Sequence, residues 1–314
     1  MRLIQEHTPL QKIEDERLIA KGVELYIKRD DLIHPFISGN KWRKLKYNLT
    51  QARAENHHTL LTFGGPYSNH IYATAAAAKK FGFQSIGIIR GYEKAARTPT
   101  LQFAESMGMQ LIFVPAEVYK EKDTATLLKL LPDWLHQFYT IPEGGTNRYA
   151  IAGVSELIQE IGIDYQYICC ACGTGGTLAG LVSGIQNDTK VLGFSALKGD
   201  DTLSDKVKQL TTSTAENFTI LFDYHFGGYA KVNSSLIDFI KQFKAKHDIQ
   251  LEPVYTGKML YGLYDLVSKD FFARGSTIVG IHTGGLQGLC GYLNYFPDLE
   301  NSLLTNSCRD ESCL

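Results

Sequence analysis

Short apolar runs rich in Val, Ile, Phe and Tyr alternate with stretches of helical period along nearly the whole chain, and this alternation constrains the fold most. The strand-like runs are 23–28, 59–63, 85–89, 110–114, 165–171, 191–196, 218–222 and 277–281. Between them lie helical patterns at 41–55, 69–81, 100–107, 147–161, 178–185, 234–247 and 258–269. A strand followed by a crossover helix pairs in parallel with the next strand, so the expected class is α/β. At roughly 150 residues per domain, 314 residues give about two domains. Two open, mostly parallel twisted sheets flanked by helices follow, and the absence of a 20 to 50 residue period excludes a solenoid.

In open parallel sheets, ligands bind beyond the carboxyl ends of the strands, so the loops that follow strands should carry the chemistry. Four such loops are rich in Gly and small polar residues: Gly64-Gly65-Pro66-Tyr67-Ser68-Asn69-His70, Gly144-Gly145-Thr146-Asn147, Gly173-Thr174-Gly175-Gly176-Thr177 and His282-Thr283-Gly284-Gly285. Each leads into or lies beside a helix start, where unpaired amides and the dipole favour anions. The 173–177 loop suits a phosphate, although a purely structural turn fits the same residues. No Lys-[Ser/Thr] follows it, which excludes a Walker loop. The strand after it ends at Ser195-Ala196-Leu197-Lys198 without an acid for a ribose, which disfavours a dinucleotide.

Ser38-Gly39-Asn40-Lys41 opens a helix with a lysine at the positive end of its dipole. Lys41 is then either an ordinary exposed lysine or, where partly buried, a Schiff-base nucleophile. Ser68 and Asn69 precede an Ala-rich helix and serve either as an N-cap or as a cradle for a carboxylate. Tyr255 precedes another helix, and as one of 17 tyrosines it reads as packing.

Composition narrows the classes. Thirty-two basic against 33 acidic residues leave a net charge of -1, so no global field draws nucleic acid or anionic lipid. No apolar run approaches 18 residues and the first twenty carry no signal h-region, which points to a cytoplasmic chain off the membrane. Six cysteines are too few for a disulfide scaffold, and Cys169, Cys170 and Cys172 read as buried thiols. Nine scattered His without H-E-x-x-H give no metal site.

Five segments, S-G-N-K-W-R-K at 38–44, G-G-x-x-S-N-H at 64–70, C-G-T-G-G-T at 172–177, E-P-V-Y-T-G-K at 252–258 and H-T-G-G at 282–285, resemble the fold-type II, tryptophan synthase β-like pyridoxal-phosphate enzymes. More narrowly they resemble the family that joins 1-aminocyclopropane-1-carboxylate deaminase and D-cysteine desulfhydrase. The resemblance spans about residues 8 to 295. It implies pyridoxal 5'-phosphate as cofactor, joined through Lys41, with its phosphate held by Gly173, Thr174, Gly175, Gly176 and Thr177 and a further charge from Lys44. It implies Asn69 on the pyridine 3-oxygen, Thr283 at the pyridine nitrogen, and Ser68 with the amides of Asn69 and His70 around a substrate carboxylate. Tyr255 and, with different flanking residues, Tyr229 would stand by the reacting carbons.

Ring-opening deaminases of this family carry Glu after the V-Y tyrosine and an aliphatic residue in the H-x-G-G loop, where this chain has Thr256 and Thr283. A neutral hydroxyl makes the pyridine ring a poorer electron sink than a carboxylate would. The resemblance therefore implies a lyase, deaminase or hydrolase acting on a small amino acid, foremost elimination from D-cysteine to pyruvate, sulfide and ammonia. Cyclopropane deamination, β-replacement and a non-catalytic pyridoxal-phosphate-binding role remain open. It also implies a homodimer. The expected division is a large cofactor-binding domain of residues 1–50 and 150–314 and a small mobile domain, 51–149, carrying Ser68. Gly144-Gly145 serves as a hinge or a simple turn, and the polar tail 301–314 receives no function.

Overall fold

The computed structural model describes residues 4, 5, 7–120, 137–211, 217–293 and 295, so the expected tail at 301–314 lies outside the described residues. Its strands form two sheets. The larger contains β1 (Leu10–Lys12), β2 (Glu24–Lys28), β7 (Tyr167–Cys172), β8 (Lys190–Ser195), β9 (Phe218–Leu221) and β10 (Thr277–Ile281) in the order β1-β2-β10-β7-β8-β9. The smaller contains β3 (Thr59–Gly64), β4 (Gln84–Arg90), β5 (Met109–Val114) and β6 (Tyr139–Ile141) in the order β5-β4-β3-β6. Every pairing is parallel except β1 with β2. The class read from the sequence is the observed one. The three-residue strands β1 and β6 were not among those expected, being too short to show a period.

The helices are α1 (Glu16–Lys21), α2 (Asn40–Ala54), α3 (Asn69–Phe81), α4 (Pro99–Ser106), α5 (Ala116–Tyr119), α6 (Arg148–Ser155), α7 (Gly176–Gly184), α8 (Leu203–Leu210), α9 (Ser234–His247) and α10 (Thr256–Ser268). The pattern at 147–161 resolves into α6 and a tighter 3-10 turn, Glu156–Glu160. Side chains of the larger sheet alternate between two apolar clusters, as the two-residue period of a strand requires. Leu25, Ile27, Leu192 and Phe194 pack with Leu236, Ile240, Leu260 and Leu263 of α9 and α10. Ile168, Cys170, Val191 and Val279 pack with Val154, Leu178 and Leu181 of α6 and α7. Helices thus cover both faces, and β7 is buried as a near-continuous apolar run.

Helix α2 also packs on the smaller sheet's layer. Its Leu45, Leu49 and Ala52 share a cluster with Tyr72, Ala73, Ala76 and Ala77 of α3. The boundary expected at residue 50 therefore falls inside one continuous helix. A buried ionic network fixes that helix: Arg43, 3% exposed, spans Asp30 at 2.5 Å and Glu160 at 2.6 Å, and Lys28 reaches Glu160 at 2.7 Å. Among the described residues no helix is long and apolar enough to cross a membrane.

Candidate active site

The loops after β3, β6, β7 and β10 meet the start of α2 at the carboxyl ends of both sheets. Gly39 makes the closest approach. At φ 61° its Cα lies against the Thr283 carbonyl, and a Cβ there would stand 1.9 Å from that oxygen. The Asn40 amide donates to Thr283 O at 3.3 Å, while Asn40 Nδ2 donates to Thr177 Oγ1 at 2.8 Å. The next residue, Lys41, is thereby held between the His282–Gly285 and Gly173–Thr177 loops and lines a cavity of about 630 Å³. Burial pulls its amine down to about 8, and the helix dipole acts in the same sense.

Helix α7 starts at Gly176 behind Gly175 and has no side-chain cap, so its first amides lack intrahelical partners. A Cβ on Gly176 would lie 2.6 Å from Thr146 Oγ1 and 3.0 Å from Lys44 Nζ, which marks a cradle only glycine leaves open. Lys44, 2% exposed, donates to the Gly144 carbonyl at 3.1 Å and to Thr146 Oγ1 at 3.3 Å. Desolvation first, and then Lys41, hold its amine well below the ordinary lysine value, with no carboxylate opposing them. Two buried amines, an uncapped helix start and the Thr174 and Thr177 hydroxyls form a site with positive charge in excess. A phosphate dianion fits it. The Gly144-Gly145 pair is a tight turn at positive φ packed on Thr174 and His70.

On the smaller sheet's side, Ser68 caps α3 by accepting from the His70 and Ile71 amides at 3.2 and 3.3 Å. Its oxygen is used as an acceptor, which leaves its proton to donate into the cavity. The His70 amide, expected to face a substrate carboxylate, is thus taken by the cap. The Asn69 Oδ1 atom accepts from Gln287 Nε2, which turns the Asn69 NH2 group outward as a donor. The His70 ring is neutral: Thr62 donates to Ile141 O at 2.9 Å and so accepts from His70 Nε2 at 2.8 Å, leaving Nδ1 as an unpaired acceptor. Desolvation, Lys41 and Lys44 all push its pKa well down.

Tyr255 stands at the start of α10 because Glu252, buried to 1%, accepts from the amides of Val254, Tyr255 and Thr256 at 2.6 to 3.1 Å. The Thr256 hydroxyl also donates to Glu252, at 3.1 Å, and faces away from the cavity. Tyr229 comes from the loop after β9, with its ring 6.1 Å from that of Tyr255 in an edge-on contact. Desolvation raises both phenols, although Tyr229 is 43% exposed and Tyr255 only partly buried, while their mutual interaction lowers Tyr229 and raises Tyr255.

One cavity is lined by every residue expected to be catalytic or to bind cofactor or substrate: Lys41, Lys44, Ser68, Asn69, His70, Gly173, Thr174, Gly175, Gly176, Thr177, Tyr229, Tyr255 and Thr283. Sequence reasoning missed Thr146, which meets Lys44, Gln287, which orients Asn69, and Arg90, which lines the cavity, and it assigned Glu252 and Lys258 no role. Thr146 lay in a loop already flagged. A surface-like Gln or Arg carries no local signal.

The family model for pyridoxal-phosphate-dependent enzymes matches residues 1–284. The chain belongs to that family. It is 33% identical to a Pyrococcus furiosus protein named provisionally as a 1-aminocyclopropane-1-carboxylate deaminase, over 93% of each chain. It is 30% identical to the D-cysteine desulfhydrase of Yersinia pestis, over 92% of this chain and 94% of that one. The crystal structure of a 1-aminocyclopropane-1-carboxylate deaminase homologue superposes with a TM-score of 0.80 at 30% identity, covering 98% of this chain and 95% of the other. These findings make the chain a pyridoxal-phosphate-dependent lyase or deaminase. None of them describes a hydrolase, and that part of the expectation falls away. The cradle at Gly176 and the amines of Lys41 and Lys44, which face no carboxylate, fit the charge of the family's phosphate-bearing cofactor.

Proposed function

We propose that this enzyme removes the β-substituent and the amino group of a small amino acid, and that D-cysteine, yielding pyruvate, sulfide and ammonia, is its best substrate. Water supplies the carbonyl oxygen of pyruvate, so the products balance. Bound pyridoxal phosphate supplies the electron sink that lets a bond at Cα break. In this reading Lys41, with its amine near 8, attaches the cofactor and carries the Cα proton. Gly173–Thr177 and Lys44 hold the phosphate, and Asn69, oriented by Gln287, donates to the ring's 3-oxygen. The Ser68 hydroxyl donates to the substrate carboxylate. Tyr229, the lower-titrating phenol of the pair with Tyr255, gives a proton toward the departing group.

The observation that carries the reading is the neutral pair Thr256 and Thr283. Thr256 spends its hydroxyl on Glu252, and Thr283 offers the cavity a hydroxyl rather than a carboxylate. This environment favours loss of a good leaving group such as a thiolate over opening of a cyclopropane. Cyclopropane deamination is the second reading, supported by the name of the Pyrococcus relative and that of the solved homologue. The division into a large unit of 1–50 and 150–314 and a small one of 51–149 that closes on substrate belongs to the same proposal. So do the cytoplasm as compartment and a homodimer as assembly.

The test is turnover of the loaded protein with D-cysteine, L-cysteine and 1-aminocyclopropane-1-carboxylate, with pyruvate, sulfide and 2-oxobutyrate assayed separately and added thiols used to trap β-replacement. Pyruvate and sulfide in equal amounts from D-cysteine support the reading. Release of 2-oxobutyrate alone, or thioether formation in place of pyruvate, replaces it, and cofactor binding without turnover moves the chain to a storage role.

A further inference from the structure

The E-P-V-Y-T-G-K segment holds a buried charge that the chemistry above leaves unused. Lys258 is 1% exposed and sits one turn after Tyr255 on α10. Its Nζ donates to the main-chain carbonyls of His225 and Gly228, each at 2.8 Å, and to no carboxylate. Those carbonyls belong to the loop that carries Tyr229.

That loop is conformationally costly. Phe226, Gly227, Gly228 and Ala230 have φ of 55°, 98°, 121° and 58°, so four of five successive residues are left-handed and two of the four have side chains. Such a run persists only where its surroundings fix it. Side chains also tie it down: Tyr224 donates to Asp265 of α10 at 2.7 Å, the Phe226 ring stands edge-on to that of Tyr261 on α10 at 4.9 Å, Gly227 donates to His225 Nδ1 at 2.8 Å, and Tyr292 donates to the Ala230 carbonyl at 2.8 Å. Lys258 alone among these grips two main-chain carbonyls of the loop, and it does so from the helix whose start sets Tyr255. This side chain therefore fixes the backbone of the Tyr229 loop to the Tyr255 helix, and the two phenol rings make their edge-on contact 6.1 Å apart. A buried ammonium is a costly tie, and desolvation draws this one down to about 8, against the opposing pull of Glu252.

We infer that Lys258 is a positioning residue: its ammonium holds the strained 225–230 loop so that the Tyr229 phenol meets Tyr255 over the cleft, and it acts on the reaction only through Tyr229. This rests on the reading of Tyr229 as a participant in the chemistry.

The experiment is a double-mutant cycle on the pyridoxal-phosphate-loaded enzyme with Lys258→Met, Tyr229→Phe and the pair. Hydrogen exchange of the 223–232 segment and thermal unfolding are followed alongside. Lys258→Met and Tyr229→Phe are each expected to lower kcat by about tenfold or more, within the range of one positioned proton donor. The double variant is expected within about twofold of Tyr229→Phe. Exchange at Gly227 and Gly228 rises at least about tenfold in Lys258→Met, while α9 keeps its protection. Lys258→Arg, which retains donors, restores part of the rate.

Losses that multiply in the double variant overturn the inference, as does unchanged exchange in the loop. If Lys258→Met does not fold, Lys258→Gln, which keeps an N–H donor, is used and an intermediate loss is expected; full activity there refutes the lock. Failure of all forms on D-cysteine counts against the proposed reaction, and the exchange measurement then decides the lock by itself. A fully active Tyr229→Phe beside a crippled Lys258→Met refutes the inference while the reaction stands.

Discussion

Replacing Lys41 by Met will stabilise the protein stripped of cofactor. The Lys41 amine lies near 8 against an ordinary 10.5, and desolvation is the cause. That difference corresponds to about 3.4 kcal/mol at about 1.36 kcal/mol per unit. Between those two values the unfolded chain binds more protons at this site than the folded one, so stability rises with pH across the window. At pH 7 the penalty is nearly complete, about 3 kcal/mol, and by pH 10 it has fallen to about 1 kcal/mol. Methionine has similar length and no charge. Lys41 is also one of the causes that depress Lys44, so its removal relieves that group in the same direction. Urea unfolding of both cofactor-free forms at pH 7 and pH 10 measures the effect. A gap of about 3 kcal/mol that shrinks to roughly 1 is expected. A Lys41→Met protein less stable than the parent at pH 7, or a gap that ignores pH, would refute the argument that burial sets this amine.

The remaining predictions test the cradle, the anchor and the cap. Gly176→Ala puts a methyl 2.6 Å from Thr146 Oγ1 and 3.0 Å from Lys44 Nζ, so the chain folds but cofactor affinity falls by about tenfold or more, read from the visible band on titration. Arg43→Leu strands Asp30, which is 0% exposed, and will cost about 3–5 kcal/mol in thermal or denaturant unfolding. A loss near zero would place that pair in the class of solvated surface bridges. Ser68→Ala removes both a cap, worth about 1 kcal/mol, and the donor proposed for the substrate carboxylate. Ser68→Asp restores the cap while repelling a carboxylate. Stability and KM will therefore separate between the two variants, and parallel changes would make Ser68 a cap alone.

The parallel α/β class was legible because β7, β8 and β10 are buried strands with near-continuous apolar residues, separated by helices of ordinary period. The site was legible because four loops share glycine and small hydroxyls, a chemistry that local sequence does display. Helix α8 was missed although Leu203 and Val207 are four apart and both fully buried, because two apolar positions in eight residues give a weak helical period. Partnerships across the chain could not be seen. The hold of Gln287 on Asn69 spans 218 residues, and that of Lys258 on His225 spans 33. Nothing in the spacing of a polar residue says which distant carbonyl it will meet. The His70 amide was misjudged for a local reason: a capping serine competes for the very amides a ligand would use.

The same residues that make the cleft reactive make the empty fold less stable, and the cofactor links the two. Lys41 and Lys44 are buried without a carboxylate to oppose them, and α7 begins without a cap. In the proposed reading the bound cofactor meets all three at once, its phosphate facing Lys44 and the start of α7 while its attachment takes up the Lys41 amine. A ligand at about 100 times its Kd stabilises the folded state by about 2.7 kcal/mol, close to the penalty worked out for Lys41 alone. Loading therefore returns roughly what burial of that amine removes, and the loaded protein will unfold at higher denaturant than the stripped one. Because the gain depends on occupancy of the Gly176 cradle, the Gly176→Ala protein will show it only when cofactor is raised in proportion to the weakened Kd. A gain that persists in that variant at the parent's cofactor concentration would mean that the phosphate sits elsewhere, and the case for Gly173–Thr177 as its seat would fail.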